Sequence, residues 1–155
     1  MDIFDHQTKL TENIVAGGPG DEISPTYSPT MTRDFAETVE STIEKHNIEV
    51  VYDLGSGDLL LPVYLAYNTS VEVVAYEIST ELVEDAISFW KYVGCWDEKQ
   101  ITVRTTDFTK DLSDIQSTQN SLLVNCGSSN RINPSLLTAP LISSKFGHKI
   151  SIHNI

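Results

Sequence analysis

Short runs of apolar residues, many of them β-branched, recur along the chain and have the length of buried strands. These runs cover residues 49–54, 71–77, 101–106, 121–125 and 148–155. In the last run Ile150 and Ile152 alternate with Ser151 and His153, so one face of that strand can be buried while the other stays half polar. The pattern therefore predicts five strands.

Segments with helical periodicity lie between most of these strands. The predicted helices cover residues 32–47, 60–67, 80–93 and 133–143. In the first helix, apolar residues recur at four-residue steps from Phe35 to Ile43. The third has the clearest apolar face and is followed by Gly94, a typical helix stop. Asn133-Pro134 is a cap followed by a proline at the first helical position, which is how the last helix is expected to begin.

Strands that alternate with helices predict an α/β fold, an open parallel sheet with helices on both faces. In such sheets ligands bind at the carboxyl ends of the strands, near the point where the strand order reverses. That rule directs attention to the residues that follow the first four strands. They are residues 53–58, 77–78, 107–108 and 125–129.

The first thirty residues show little periodicity and contain the stretch GGPGDEISPTYSP, which is rich in Gly, Pro and Ser. That composition is typical of an irregular arm or loop. We therefore divide the chain into an arm, residues 1–31, and a domain, residues 32–155.

The turn after the first strand, VVYDLGSGDLLLP, resembles a nucleotide-binding turn in its first half. Gly55 and Gly57 can adopt positive φ and allow a ligand to approach the backbone. Glu77 follows twenty residues after Gly57, at the end of the next strand. A carboxylate there can accept hydrogen bonds from both hydroxyls of a ribose. The two features together predict a site for an adenosine-containing cofactor.

The order of these motifs resembles that of class I S-adenosylmethionine-dependent methyltransferases. The resemblance rests on YDLGSGD, on Glu77, on the pair Asp107-Phe108 after the third strand and on Asn125 after the fourth. It is closer to the seven-strand protein-lysine methyltransferases, whose motif reads VYDLGSGDGR. The arm adds to it, because residues 27–30 resemble the Tyr-x-Pro-Thr segment that those enzymes place over the cofactor.

The resemblance implies a Rossmann-like sheet of strand order 3-2-1-4-5 and a role for each matching residue. The glycine turn would line the methionine end of S-adenosylmethionine, Glu77 would hold the ribose, and Asp107 would approach the adenine amine. Asn125 would face the methyl group and the incoming amine. The implied cofactor-binding residues are Tyr27, Thr30, Asp53, Gly55, Ser56, Gly57, Glu77, Ile78, Asp107 and Phe108.

The sequence departs from the family pattern in two places. Leu59-Leu60 replaces the Gly-Arg of the motif, and because the third glycine allows close packing of helix on strand, we expect a wider turn. We also expect the sheet to lack the final antiparallel strand pair, which in the family helps to bind substrate. The strand at residues 148–155 would then be a sheet edge, and an unpaired edge invites another strand. We expect a second copy of the chain or a partner to cover it.

Composition narrows the range of partners. The formal net charge is −12, and all 22 acidic residues lie at or before Asp114. Binding to nucleic acid or to an anionic membrane needs clustered Lys and Arg, so neither is an expected partner. Either a Lys-rich protein partner or a salt-rich cytoplasm would account for the acidic part of the chain. No apolar run approaches the roughly 18 residues of a transmembrane helix, and the amino terminus does not resemble a secretory signal. The four histidines and two cysteines show no metal-ligand spacing, so we expect no metal and a cytoplasmic protein.

These observations support a methyltransferase that acts on a protein lysine amine. The alternative is a catalytically silent scaffold or regulatory subunit that binds S-adenosylmethionine and completes a partner, which the short carboxyl end and Leu59 favour. A NAD-linked oxidoreductase is a third reading. It is disfavoured because the turn lacks the full GxGxxG pattern and no catalytic Tyr-Lys or His-Asp pair is evident.

Overall fold

The computed structural model describes residues 2–14, 31–107, 120–126 and 148–152, and its strands form one five-stranded sheet. The strands are β1 (Val50–Leu54), β2 (Glu72–Tyr76), β3 (Ile101–Arg104), β4 (Ser121–Cys126) and β5 (His148–Ile152). Their order is β3-β2-β1-β4-β5, and each neighbouring pair is parallel. The predicted strands, their order and their direction are confirmed, although β2 and β3 are shorter than predicted.

The strand β1 is the point at which the strand order reverses. The chain passes from β1 to β2 and β3 on one side, then returns to place β4 and β5 on the other. In the register of the sheet Leu54 pairs with Tyr76 of β2 and with Asn125 of β4. The carboxyl ends of three strands are therefore level, and the residues that follow them emerge at the same edge.

Four α-helices flank the sheet in the described part of the chain. They are α1 (Gln7–Asn13), α2 (Arg33–His46), α3 (Leu60–Asn68) and α4 (Thr80–Tyr92). The hydroxyl of Thr32 accepts from the Phe35 N–H at 3.2 Å and caps α2, and that of Ser79 caps α4 in the same way. Gly94, at φ 78°, follows α4 as predicted.

The helices contribute to the core unequally. In α2 the buried residues recur on one stripe, whereas every residue of α3 from Leu60 to Ala66 is buried. A helix that is apolar all round belongs inside a protein. Trp90, the largest fully buried side chain, lies on α4. The helix α3, which begins at the end of the glycine turn, is thus fixed on all sides.

The prediction of an irregular arm is wrong for residues 3–13. A 3-10 turn, Ile3–His6, leads directly into α1, and Ile3, Leu10 and Ile14 are buried in the same core as the later helices. The carboxylate of Asp2 caps the turn by accepting from the Phe4 N–H at 3.0 Å. The helix is only seven residues long, so tertiary packing rather than intrinsic propensity stabilises it.

Polar contacts attach this amino-terminal segment to α2. The Arg33 guanidinium pairs with the Asp2 carboxylate and lies 5.0 Å from the centre of the Phe4 ring. The amide of Gln7 donates to the carbonyl of Met31 at 3.0 Å, immediately before α2. The segment is therefore held both by apolar packing and by hydrogen bonds.

Several predictions lie outside the described residues: the helix at 133–143, the Tyr-x-Pro-Thr segment at 27–30, and Phe108. The boundary between arm and domain at residue 31 also stays a prediction. Among the described strands β5 lies at an edge of the sheet, and whether a partner covers that edge stays a prediction as well.

Replacing Leu10 by Ala should lower the free energy of unfolding by about 2–4 kcal/mol, because the side chain is fully buried in the shared core. Urea denaturation measures the change. Lys9→Ala is the matched control, since Lys9 is exposed on the same helix and should change stability by less than about 0.5 kcal/mol. A Leu10→Ala variant as stable as the control would contradict the placement of α1 in the core.

Candidate functional site

The turn between β1 and α3 contains three residues with positive φ. They are Gly55 at 75°, Gly57 at 57° and Leu59 at 62°. The backbone N–H groups of Gly55 and Ser56 both donate to the carbonyl of Tyr76, at 2.8 and 2.9 Å. The turn is therefore fastened to the end of β2, the neighbouring strand.

Leu59 adopts the left-handed conformation that a third glycine would adopt without strain. For a residue with a Cβ this conformation costs about 1–2 kcal/mol. The side chain of Leu59 is fully buried in the core, and its N–H donates to the Ser56 carbonyl at 3.0 Å. From the sequence we expected only that Leu59 would widen the turn. The structure shows that this position also requires a left-handed backbone conformation.

The Glu77 carboxylate joins the turn after β1 to the turn after β2. One oxygen accepts from the Gly57 N–H and the other from the Ser79 N–H, each at 3.0 Å. Only 6% of the residue is exposed. Each carboxylate oxygen has a second lone pair, so Glu77 can still accept from two further donors. Two adjacent hydroxyls, such as those of a ribose, match that geometry.

Asp53, the fourth residue of β1, is buried with 2% of its surface exposed. The Ser56 hydroxyl donates to its carboxylate at 2.8 Å. Burial raises the pKa of Asp53 to about 7, and the nearby charges of Asp58 and Glu77 act in the same direction, while the Ser56 hydrogen bond opposes the shift. The carboxyl of Asp53 therefore titrates near neutral pH.

Asp58 is a buried part of this site that the sequence analysis did not include among the cofactor residues. Its carboxylate accepts from the Leu60 N–H at 3.1 Å, which closes a local turn at the start of α3. Its carbonyl accepts from the indole N–H of Trp90 at 2.9 Å. The sequence shows an acidic residue in a Gly-x-Gly-Asp stretch. It gives no sign that the carbonyl of this residue binds Trp90, which lies 32 residues away.

The structure brings most of the predicted residues together at one edge of the sheet. Hydrogen bonds link Asp53 to Ser56 and Gly57 to Glu77. Ile78 follows Glu77 and is half-buried. Asp107 lies just beyond β3, and Asn125 is level with Leu54 on β4. Tyr27, Thr30 and Phe108 lie outside the described residues.

Five backbone N–H groups of the turn donate to partners within the protein. The N–H groups of Gly55 and Ser56 bind Tyr76, that of Gly57 binds Glu77, and those of Leu59 and Leu60 bind within the turn. A dinucleotide site uses such N–H groups to hold a pyrophosphate. These five N–H groups are therefore already engaged, which is unfavourable for a dinucleotide held mainly by the glycine turn.

Space for a ligand lies directly over Gly57. A Cβ built on this residue would have no heavy atom of the described chain within 4 Å beyond its immediate neighbours. Gly57 is also the residue whose N–H contacts Glu77. The open space therefore adjoins the carboxylate that is best placed to bind hydroxyl groups.

Comparison with solved structures identifies the fold. A caffeoyl-CoA O-methyltransferase assigned in Staphylococcus aureus superposes with a TM-score of 0.68 at 10% identity, covering 97% of this chain and 66% of that one. A protein described as an RNA methyltransferase from Pyrococcus horikoshii superposes with a TM-score of 0.61 at 17% identity. The match covers 97% of this chain and 72% of the Pyrococcus chain. An S-adenosylmethionine-dependent methyltransferase from Thiobacillus denitrificans, crystallised with S-adenosylhomocysteine, superposes with a TM-score of 0.60 at 18% identity. The match covers 97% of this chain and 56% of the Thiobacillus chain.

These likenesses show that the chain has the Rossmann-like fold of class I S-adenosylmethionine-dependent methyltransferases. The chain spans 66% of the Staphylococcus protein and 56% of the Thiobacillus protein. No protein-family model and no curated protein matches the sequence. In the part of the chain that the structure describes, no helix has the length and hydrophobicity needed to cross a bilayer.

Asp53→Asn should reduce the pH dependence of stability. The folded-state pKa of about 7 lies well above the usual pKa of an aspartate, about 3.9, so the folded protein retains a proton that the unfolded chain releases. Protonation of Asp53 therefore makes its full contribution to the free energy of unfolding below about pH 4. This contribution is lost as the pH rises through about 7. Between pH 5 and 8 the parent should lose on the order of 2 kcal/mol more than Asp53→Asn.

Urea denaturation at the two pH values measures this difference. Glu84→Gln is the control, because it removes a carboxylate from an exposed position on α4 and should leave the pH dependence of the parent unchanged. If Asp53→Asn and the parent lose stability equally between pH 5 and 8, Asp53 does not hold a proton in the folded protein.

Proposed function

We propose that the chain is a S-adenosylmethionine-dependent methyltransferase that binds its cofactor across the carboxyl ends of β1 and β2. The observation that carries the proposal is Glu77, whose two oxygens are oriented by N–H groups from two different turns. This fixes the carboxylate beside the open space over Gly57. The similar protein from Thiobacillus denitrificans was crystallised with S-adenosylhomocysteine, which supports the choice of cofactor.

The residues present fit the chemical groups of this cofactor. S-adenosylmethionine supplies a methyl group activated by a positively charged sulfur. Asp53 and Asp58 place buried carboxyl groups near the same turn, and a cationic ligand beside them would favour the ionised form of Asp53, whose pKa burial raises to about 7. The ribose would donate to Glu77. The turn needs no free N–H groups for this ligand, because S-adenosylmethionine carries no phosphate.

The residues of the chain would act mainly by positioning. Methyl transfer is an in-line displacement, so catalysis requires a neutral nucleophile held on the axis of the reacting bond and protected from water. Asn125, level with the end of β1, is the proposed residue that faces the nucleophile. Its amide oxygen would orient an amine N–H, and a dedicated general base is not required.

For the acceptor we propose a lysine amine of a protein. The net charge of −12 supports this choice, since an acidic protein attracts Lys-rich segments and repels nucleic acid. Two of the similar proteins are described as methylating other acceptors, RNA in one case and caffeoyl-CoA in the other. The structure-based comparison and the charge thus favour different acceptors, and an assay must separate them.

Gly57→Ala should weaken S-adenosylhomocysteine binding by about tenfold or more, because the added methyl enters the space that the ligand would occupy. Calorimetric titration measures the affinity. Gly94→Ala is a matched control: Gly94 also has positive φ and open surroundings, but it ends α4. Both variants should lose about 1–2 kcal/mol of stability from backbone strain.

Only the substitution at Gly57 should change affinity. If both variants bind S-adenosylhomocysteine as tightly as the parent, the ligand does not lie over Gly57. If both lose affinity equally, the loss reflects strain in the fold rather than the ligand site.

The acceptor can be identified by transfer of a labelled methyl group from S-adenosylmethionine to a lysine-rich polypeptide, to RNA and to a catechol. We expect label in the polypeptide. Asn125→Ala should lower turnover by about tenfold or more and change cofactor affinity by less than about twofold. Asn120→Ala, exposed next to the opposite end of β4, is the control and should leave turnover unchanged.

Label in RNA or in the catechol would contradict the lysine assignment and leave the methyltransferase proposal intact. Cofactor binding without transfer to any acceptor would favour the silent scaffold. Normal turnover of Asn125→Ala would show that Asn125 does not face the nucleophile.

A further inference from the structure

Trp90 connects α4 to the turn that follows β1. Its side chain is fully buried, and its indole N–H donates to the carbonyl of Asp58 at 2.9 Å. The two residues are separated by 32 positions in the sequence. This hydrogen bond therefore links the glycine turn to the last part of α4.

The carbonyl of Asp58 belongs to the peptide unit that joins Asp58 to Leu59. Because a peptide unit is planar, fixing the direction of its carbonyl also restricts the φ of Leu59. That φ is 62°, a value that a leucine adopts only where the surroundings enforce it. The hydrogen bond from the indole N–H is thus placed to hold the left-handed φ of Leu59, two residues after Gly57.

The amino-terminal segment supports the indole. The His6 ring lies 6.1 Å from the Trp90 ring and 6.4 Å from the Phe89 ring, nearly perpendicular to both. Phe89 and Trp90 are themselves in edge contact at 5.3 Å. Ring pairs with this geometry are attractive beyond the area they bury. Residues 2–14 therefore contribute to the position of Trp90, although they are far from the turn in sequence.

We propose that Trp90 is a positioning residue for the cofactor turn, and that the amino-terminal segment supports it through His6. The indole N–H holds the Asp58 peptide so that Leu59 stays left-handed and the Gly57 N–H stays directed at Glu77. The consequence for cofactor binding rests on the proposed function, whereas the effect on the turn does not.

Trp90→Phe tests the proposal, because it keeps an aromatic ring and removes the N–H donor. Hydrogen exchange of the Leu59 and Leu60 amides is measured in the protein without cofactor and normalised to the Val51 and Val73 amides of the central strands. We expect turn exchange to rise about tenfold relative to the strands. Affinity for S-adenosylhomocysteine should fall by a similar factor.

Two further variants separate positioning from packing. Trp96→Phe is the control, since Trp96 packs on the core at its margin and should leave the ratio of turn to strand exchange unchanged. His6→Ala should raise turn exchange selectively by about threefold, because it removes one ring contact and leaves the indole N–H. If Trp90→Phe does not fold, His6→Ala decides the proposal by the same ratio.

Equal protection of the turn in Trp90→Phe and the parent would overturn the proposal, as would a loss of protection shared equally by turn and strands. A rise in amide exchange that is confined to the turn supports the positioning role of Trp90. If the parent itself does not bind S-adenosylhomocysteine, the proposed function fails, and selective exposure of the turn still supports the positioning role of Trp90.

Discussion

The hydrogen bonds from the Gly57 and Ser79 N–H groups to the Glu77 carboxylate are the interaction on which the site depends. They bind the two turns at the centre of the sheet to a single side chain. Because a buried polar group is costly without hydrogen-bond partners, these two N–H groups also offset the cost of burying the Glu77 side chain. The proposed cofactor contact of Glu77 depends on this arrangement.

The site brings three buried acidic side chains close together. Asp53, Asp58 and Glu77 are all buried within two short turns, and burial raises the pKa of Asp53 to about 7. Local hydrogen bonds offset part of this cost, from Ser56 to Asp53 and from the Leu60 N–H to Asp58. A cationic ligand would offset more of it. This is a physical reason for a sulfonium cofactor at this position that is independent of the fold comparison.

The sequence predicted the sheet because each strand is a short apolar run and the intervening helices keep a regular period. It predicted Asp53, Ser56, Gly57 and Glu77 because residues at the ends of adjacent parallel strands must meet. It did not predict the helix at residues 3–13, which is too short to be detected by periodicity and is stabilised by tertiary contacts of Leu10 and His6. The left-handed Leu59 and its support by Trp90 were also missed, since a contact across 32 residues leaves no local signal.

Titration of S-adenosylhomocysteine into Glu77→Gln tests the account most directly. The substitution keeps the size of the side chain but replaces one acceptor oxygen by a donor, which would face either a backbone N–H or a ribose hydroxyl. Affinity should fall by about 1.5–3 kcal/mol. Glu72→Gln, exposed at the opposite end of the same strand, should bind like the parent. Unchanged affinity in Glu77→Gln, in a parent that binds the ligand, would contradict the account.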